Sequence, residues 1–205
     1  AYHGAMLDNE SPINSEYPMP IAETASTFCE TIVKNALLNE VGPKVKKVIS
    51  ESDLCDYAQI IVDIYCRFLF EDKVFELRKN GPLSENELNE IMLDAQKKTY
   101  GKGLDENYLH KYMWVCKTHY YDANFNYYNF PYAFGLLFAK GLYTMYLEEG
   151  ESFVQKYNTL LSLTGKTDLC SLGEFVGIDM RSKDFWRKPL KLIEKDIDNF
   201  CRNID

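Results

Sequence analysis

The segment Ala22-Glu23-Thr24-Ala25-Ser26-Thr27-Phe28-Cys29-Glu30 sets two carboxylates among small and apolar residues. In a helix, Glu23, Thr27 and Glu30 fall at i, i+4 and i+7 and share one face. Burying an unpaired carboxylate is costly, so such a face calls for a cation, a partner or water. A metal ion is one such cation. Plain exposure to solvent is the other reading, and it is the ordinary fate of a glutamate. A second group occupies residues 119–132. His119 is followed there by Tyr120, Tyr121, Tyr127, Tyr128 and Tyr132, with Asp122, Asn124, Asn126 and Asn129 between them. Tyrosine and histidine can donate hydrogen bonds to a developing oxyanion, and loops are where such donors are usually placed. The same stretch also reads as an aromatic packing layer whose hydroxyls reach water. Of the other histidines, His110 beside Lys111 reads as a surface residue and His3 is ambiguous. The chain contains no H-E-x-x-H, G-x-S-x-G, Walker loop or G-x-G-x-x-G. No complete site of a known motif can be assembled from these residues.

The elements that must position these groups are helical almost throughout. The spacing predicts a first long helix over 19–41, with Pro20 in its opening turn and Gly42-Pro43 closing it. Two helices are expected over 44–80, with Leu54, Tyr57, Ala58, Ile61, Ile64, Tyr65 and Phe68 as the buried stripe. Asn80-Gly81-Pro82 breaks the chain. Ser84 and Glu87 then form a capping box for a helix running to about Tyr100. After Gly101-Lys102-Gly103, residues 107–117 are expected to be helical, and 119–129 are too aromatic and polar for a clean helix. Further helices are expected over 131–147, 151–163, 168–176 and 182–203. Gly135 and Gly141 in the first of these admit a close neighbour, and Ser182 caps the last. Strand signals are absent. The expectation is one all-α unit over 1–205.

Bulk properties narrow the partners. The 205 residues carry a formal charge of −8, a poor match for phosphate backbones, so a nucleic-acid partner is excluded. At 46% hydrophobic and 26% charged residues, the chain can build an ordinary globular core. No apolar run approaches the roughly 20 residues that span a bilayer, so no membrane partner is expected. The six cysteines (Cys29, Cys55, Cys66, Cys116, Cys170, Cys201) form no C-x-x-C pair. Several sit in apolar helical patterns as small core residues, which points to a reducing, cytoplasmic setting. The opening lacks an initiator methionine and a signal peptide, which reads as a trimmed chain or a fragment.

Taken together, these segments resemble oligoendopeptidase F, a branch of the thimet-oligopeptidase-type zinc metallopeptidases. Ala1-Tyr2-His3 is similar to the residues directly after the family's H-E-x-G-H helix. Tyr17-Pro18-Met19 with the segment from Ala22 to Glu30 is similar to its second zinc helix. Asn129-Phe130-Pro131-Tyr132-Ala133-Phe134-Gly135 is similar to the segment after its substrate-binding loop. Gly177-Ile178-Asp179-Met180 and Phe185-Trp186 are similar to its C-terminal end. The resemblance implies the C-terminal helical portion of a zincin-type catalytic domain, with zinc as cofactor of the complete enzyme and short peptides as substrates.

By position, the resemblance makes Glu23 a zinc ligand and Glu30 an acid that orients a zinc-binding histidine. His119 contacts substrate near the scissile carbonyl. Tyr128, with Tyr121 as second choice, donates to the oxyanion. Both zinc histidines and the general base of the family scheme fall outside this sequence. His3, three residues past the family's second zinc histidine, is in the wrong place to replace them. The expectation is a chain that does not hydrolyse peptides without the missing N-terminal segment, and that is prone to form homo-oligomers through uncovered apolar surface. The alternative is a non-catalytic helical binding or regulatory remnant of that fold.

Overall fold

The computed structural model describes residues 1–124 and 126–202; Phe125 and Asn203, the latter in the last predicted helix, lie outside the described residues. The architecture is all-α, with no strand among the described residues. The α-helices are α1 (Tyr2–Leu7), α2 (Met19–Ala22), α3 (Thr24–Glu40), α4 (Pro43–Tyr57), α5 (Ile64–Arg78), α6 (Glu85–Tyr100), α7 (Phe130–Glu149), α8 (Ser152–Leu163), α9 (Leu169–Phe175) and α10 (Lys183–Arg202). Contacts divide them into two compact units, Ala1–Leu54 with Phe134–Asp205 and Cys55–Ala133.

The first unit is built around aromatic and branched side chains. Phe138, Leu142, Phe153, Leu160 and Leu161 are fully buried, from α7 and α8. Each contributes about 1.5–3 kcal/mol by removing its surface from water. Phe28 of α3 stacks on Tyr157 at 4.4 Å and meets Tyr143 and Tyr146 edge-on at 6.4 and 6.3 Å. Gly141 lies against the Phe185 ring, where a β-carbon would fall 2.5 Å from the ring edge, so the close approach expected there occurs. Asp168 caps α9 by accepting the Cys170 and Ser171 N–H groups.

The second unit has a smaller apolar centre of Cys66, Phe70, Met92 and Ala95, where α5 packs on α6. Ser84 caps α6 in the expected manner. Its hydroxyl accepts the Glu87 N–H at 3.3 Å, and Glu87 accepts the Ser84 N–H at 2.8 Å. Gly101, at φ 52, lets the chain leave α6 through a conformation that a β-carbon disfavours.

Several expectations are corrected. The helix expected over 19–41 is interrupted at Glu23, which joins α2 to α3 with φ −87 and ψ −3. Residues 107–117 do not form an α-helix. They make short 3₁₀ turns at Glu106–Tyr108 and Met113–Cys116. Tertiary bonds override the helical spacing: Gln96 donates to the His110 carbonyl at 2.9 Å and accepts its N–H at 3.0 Å, and the Trp114 indole donates to Asn89 at 2.9 Å. The stripe expected from Leu54 to Phe68 holds in part. Ile64 is buried and Leu54, Tyr57, Ile61 and Phe68 are half-buried, but Ala58 is exposed and Tyr65 is 53% exposed, while Asp63, Cys66 and Arg67 are buried. A π-helical stretch, Ala58–Asp63, lies between α4 and α5. The i→i+5 bonding of such a stretch adds a residue and rotates every later side chain about the axis. Of the cysteines, only Cys66 is buried, and Cys29, Cys55, Cys116 and Cys201 are exposed.

Candidate functional site

Glu23 sits where α2 ends and α3 begins, half-buried. Its carbonyl accepts the Thr27 N–H at 3.0 Å and the Ser26 hydroxyl at 3.0 Å, which fixes the joint. The Ser26 hydroxyl also lies 3.1 Å from Glu23 Oε2. The joint rests on Gly135 of α7, where an added β-carbon would come 3.0 Å from Glu23 Cβ. A β-carbon there would be tight, and Glu23 would have to give by a few tenths of an ångström. Glu23 and Gly135, both in the first unit, thus meet.

Glu30 lies seven residues on and is exposed. Its carboxylate pairs with Lys34 at 2.7 Å, and Lys34 pairs in turn with the buried Asp53 of α4. Burial pulls the Lys34 ammonium down, but Asp53 and Glu30 outweigh it and hold its pKa above the ordinary range. Lys140 of α7 is buried 3.9 Å from Asp196 of α10. Burial lowers the pKa of Lys140 and raises that of Asp196. His3 is buried in the same unit, stacked on Tyr17 at 4.0 Å and hydrogen-bonded through Nε2 to Thr164 at 2.8 Å. Burial holds its pKa below the ordinary value.

In the second unit, His119 and Tyr128 stack at 5.2 Å with their planes 18° apart. Tyr132 meets both rings edge-on, at 6.3 Å from His119 and 6.0 Å from Tyr128. His119 and Tyr128 are both half-buried. Tyr121 stands apart from this trio, 61% exposed, with its hydroxyl 3.4 Å from the Trp114 carbonyl. His110 is exposed.

The residues that hold this loop are ones the sequence reading passed over. Asp63, the last residue of the π-helical stretch, and Arg67 and Glu71 of α5 follow at i, i+4 and i+8 and are all buried. Arg67 pairs with Asp63 and donates to Asn129 Oδ1 at 3.1 Å. Asp63 also accepts from the Tyr100 hydroxyl and from Gln59, each at 2.8 Å. The Tyr120 hydroxyl donates to the Arg67 carbonyl at 3.3 Å, and Glu71 accepts the Tyr127 N–H at 2.7 Å. Burial raises the pKa of Glu71, and the Tyr127 N–H partly offsets this. Burial likewise pushes the Cys66 thiol up to about 11. Tyr127 itself has φ 58. A side chain in that region costs of order 1–2 kcal/mol, so it persists only where it is held. The acid–base–acid spacing at i, i+4 and i+8 was the available signal for this network.

Among the described residues, no three His, Cys, Asp or Glu side chains gather as a metal ion requires. Glu23 offers one carboxylate and no imidazole. These residues by themselves therefore do not fit a tight zinc site. No helix of the described residues is long and apolar enough to cross a membrane.

Comparison with known proteins places this arrangement. The sequence model of peptidase family M3 matches residues 5–192. Oligoendopeptidase F, chromosomal, from Lactococcus lactis subsp. cremoris is 26% identical over 200 residues, covering 97% of this chain and 33% of its own length. A crystal structure of a Chlamydophila abortus protein superposes with a TM-score of 0.87 at 24% identity, over 99% of this chain and 34% of that one. Oligoendopeptidase-F from Enterococcus faecium superposes with a TM-score of 0.81 at 23% identity, over 94% of this chain and 37% of that one. The chain spans about a third of the length of the curated relatives it matches.

Proposed function

The chain belongs to peptidase family M3, its curated relatives being of the oligoendopeptidase F branch, and we propose that it supplies part of the catalytic domain of a zinc metalloendopeptidase that cleaves short peptides. One observation carries the proposal. Glu23 sits at a helix joint, its β-carbon and backbone packed on Gly135, with its carboxylate 3.1 Å from the Ser26 hydroxyl.

In this reading Glu23 would help hold a zinc ion through its carboxylate, together with ligands from residues outside these 205. Zinc, when bound, polarises the substrate carbonyl and lowers the pKa of its water. Ser26 steadies the Glu23 carboxylate through its hydroxyl. Glu30 orients a zinc-binding histidine, exchanging its pairing with Lys34 for that role. His119 and Tyr128 present N–H and O–H donors to the oxyanion, with Tyr121 the second choice for the tyrosine. The exposed thiols of Cys29, Cys55, Cys116 and Cys201 accord with a reducing, cytoplasmic setting.

The pairing of Glu30 with Lys34, where the first reading needs a histidine, favours one other reading, a non-catalytic helical module that binds peptides without cleaving them. A chimera separates the two. This chain replaces the corresponding third of Lactococcus lactis oligoendopeptidase F, and hydrolysis of a quenched fluorescent peptide and zinc content are measured. The expected result is a zinc-loaded, active chimera in which Glu23→Gln loses zinc and lowers kcat/KM at least about 100-fold. A chimera whose zinc and activity are indifferent to Glu23→Gln would sink the assignment. A folded chimera that binds the peptide and never cleaves it establishes the binding module.

A further inference from the structure

The loop carrying Tyr128 is tied to buried side chains of α5 on each side of that residue. Before it, the Tyr127 N–H donates to Glu71 Oε1 at 2.7 Å. After it, Asn129 Oδ1 accepts from Arg67 Nη1 at 3.1 Å. The Tyr127 side chain adds an exposed tie, its hydroxyl donating to Asp72 at 3.0 Å and its ring stacking on Phe75 at 5.4 Å. Arg67 and Glu71 are one helical turn apart, so α5 sets the spacing of the two anchors. Tyr127 is the one described non-glycine residue with positive φ, a backbone state that relaxes unless something holds it. The anchors are firm because they are buried. Arg67 and Glu71 are 7% and 6% exposed, and Asp63 fixes the guanidinium from the other side.

We propose that Arg67 and Glu71 are positioning residues, which set the direction of Tyr128 and, through the ring stack, of His119. A stabilising role alone does not account for them. Apolar side chains of similar volume hold helices together at least as well as a buried ion pair. Directed bonds add a single orientation, and here they end on the two neighbours of Tyr128. The value of that orientation to a substrate rests on the reading of His119 and Tyr128 as substrate-facing donors. The geometry stands without it.

The test uses the full chain labelled with carbon-13 in its histidine and tyrosine rings. In the unmodified protein, the His119 ring protons are expected upfield of free histidine because of the stacked Tyr128. Glu71→Leu abolishes that shift, whereas Glu71→Gln, whose amide oxygen still accepts the Tyr127 N–H, retains it. Circular dichroism establishes that each variant folds. Should Glu71→Leu not fold, hydrogen exchange in the unmodified chain decides, with the Tyr127 amide expected to exchange far more slowly than the Asn126 amide. A folded Glu71→Leu chain that keeps the shift, or a Tyr127 amide exchanging at the free-peptide rate, overturns the proposal. Binding of fluorescein-labelled Ala-Ala-Phe-Ala-Ala is measured alongside. Loss of the shift in Glu71→Leu with no probe binding by the unmodified chain upholds the positioning role and removes the substrate-facing reading. Probe binding with the shift retained does the reverse.

Discussion

Among the described residues, the unit that carries Glu23 gathers thirteen buried apolar residues into one cluster, and the unit that carries His119 gathers four. Each unit also buries six polar side chains, His3, Thr24, Thr31, Asp53, Lys140 and Thr164 in the first and Asp63, Arg67, Glu71, Asn89, Gln96 and Asn129 in the second, so polar groups form the larger share of the second interior. The two candidate groups are accordingly held in different ways. Glu23 is placed by close packing, on a helix joint pressed against a glycine. Among its described residues the His119 loop has only one short 3₁₀ turn, Thr118–Tyr121, and besides ring contacts on α5 it is placed by hydrogen bonds to that helix. Packing is strong but indifferent to direction. A hydrogen bond adds little net stability but fixes an angle. A backbone joint can be positioned by the first. A loop of rings needs the second.

This contrast can be broken by substitution. Phe153→Ala, in the apolar cluster, should cost about 3–5 kcal/mol of unfolding free energy by urea denaturation, and no polar partner can restore it. Arg67→Met should cost a similar amount, about 3–5 kcal/mol, because Asp63 is left buried and uncompensated. The sharper measurement is the double variant Asp63→Leu with Arg67→Met. It should cost less than Arg67→Met alone, although the Tyr100 hydroxyl loses its acceptor. A double variant as unstable as the single one would mean that the network serves stability more than orientation.

The smallest expected effect concerns His3. Burial holds its pKa below the ordinary 6.5, so the folded chain favours neutral imidazole. As pH falls through that value the unfolded chain takes up a proton first. The contribution of His3 is therefore present above it and is lost as pH drops toward the lower folded value. Melting temperature should fall between about pH 7.5 and about pH 5.5, and His3→Gln should flatten the fall. Glu71 and Asp196, raised by burial, work in the opposite sense in both proteins, so the difference between the curves isolates His3. Identical curves would show that the imidazole is not held neutral.

Much of the helical framework was legible. The Ser84 capping box appears as read, and the ends of α6, α8 and α9 lie within two residues of expectation. Two features were not. The joint at Glu23 carries neither proline nor glycine at the break and has near-helical angles, so local propensity cannot locate it. The π stretch at Ala58–Asp63 leaves no compositional mark, yet it turns Tyr65 outward and Arg67 inward. In the site, the residue types of both groups were visible. Tyr128 was the first choice over Tyr121 by position alone, and their surroundings, Tyr128 stacked on His119 and Tyr121 exposed, were not legible.

By itself, the order of residues determined what depends on near neighbours: the all-α class, the caps and breaks, and the segments through which the family is identified. Tertiary structure alone decided which polar groups are buried and what they meet. Glu30 finds Lys34 one turn away, but Asp53, Gly135, Asn129 and Tyr127 find their partners only once distant segments pack. The reason is one of range. Capping and helix periodicity act over three or four residues, whereas the desolvation that makes a buried carboxylate seek a particular partner arises only when the chain has closed around it.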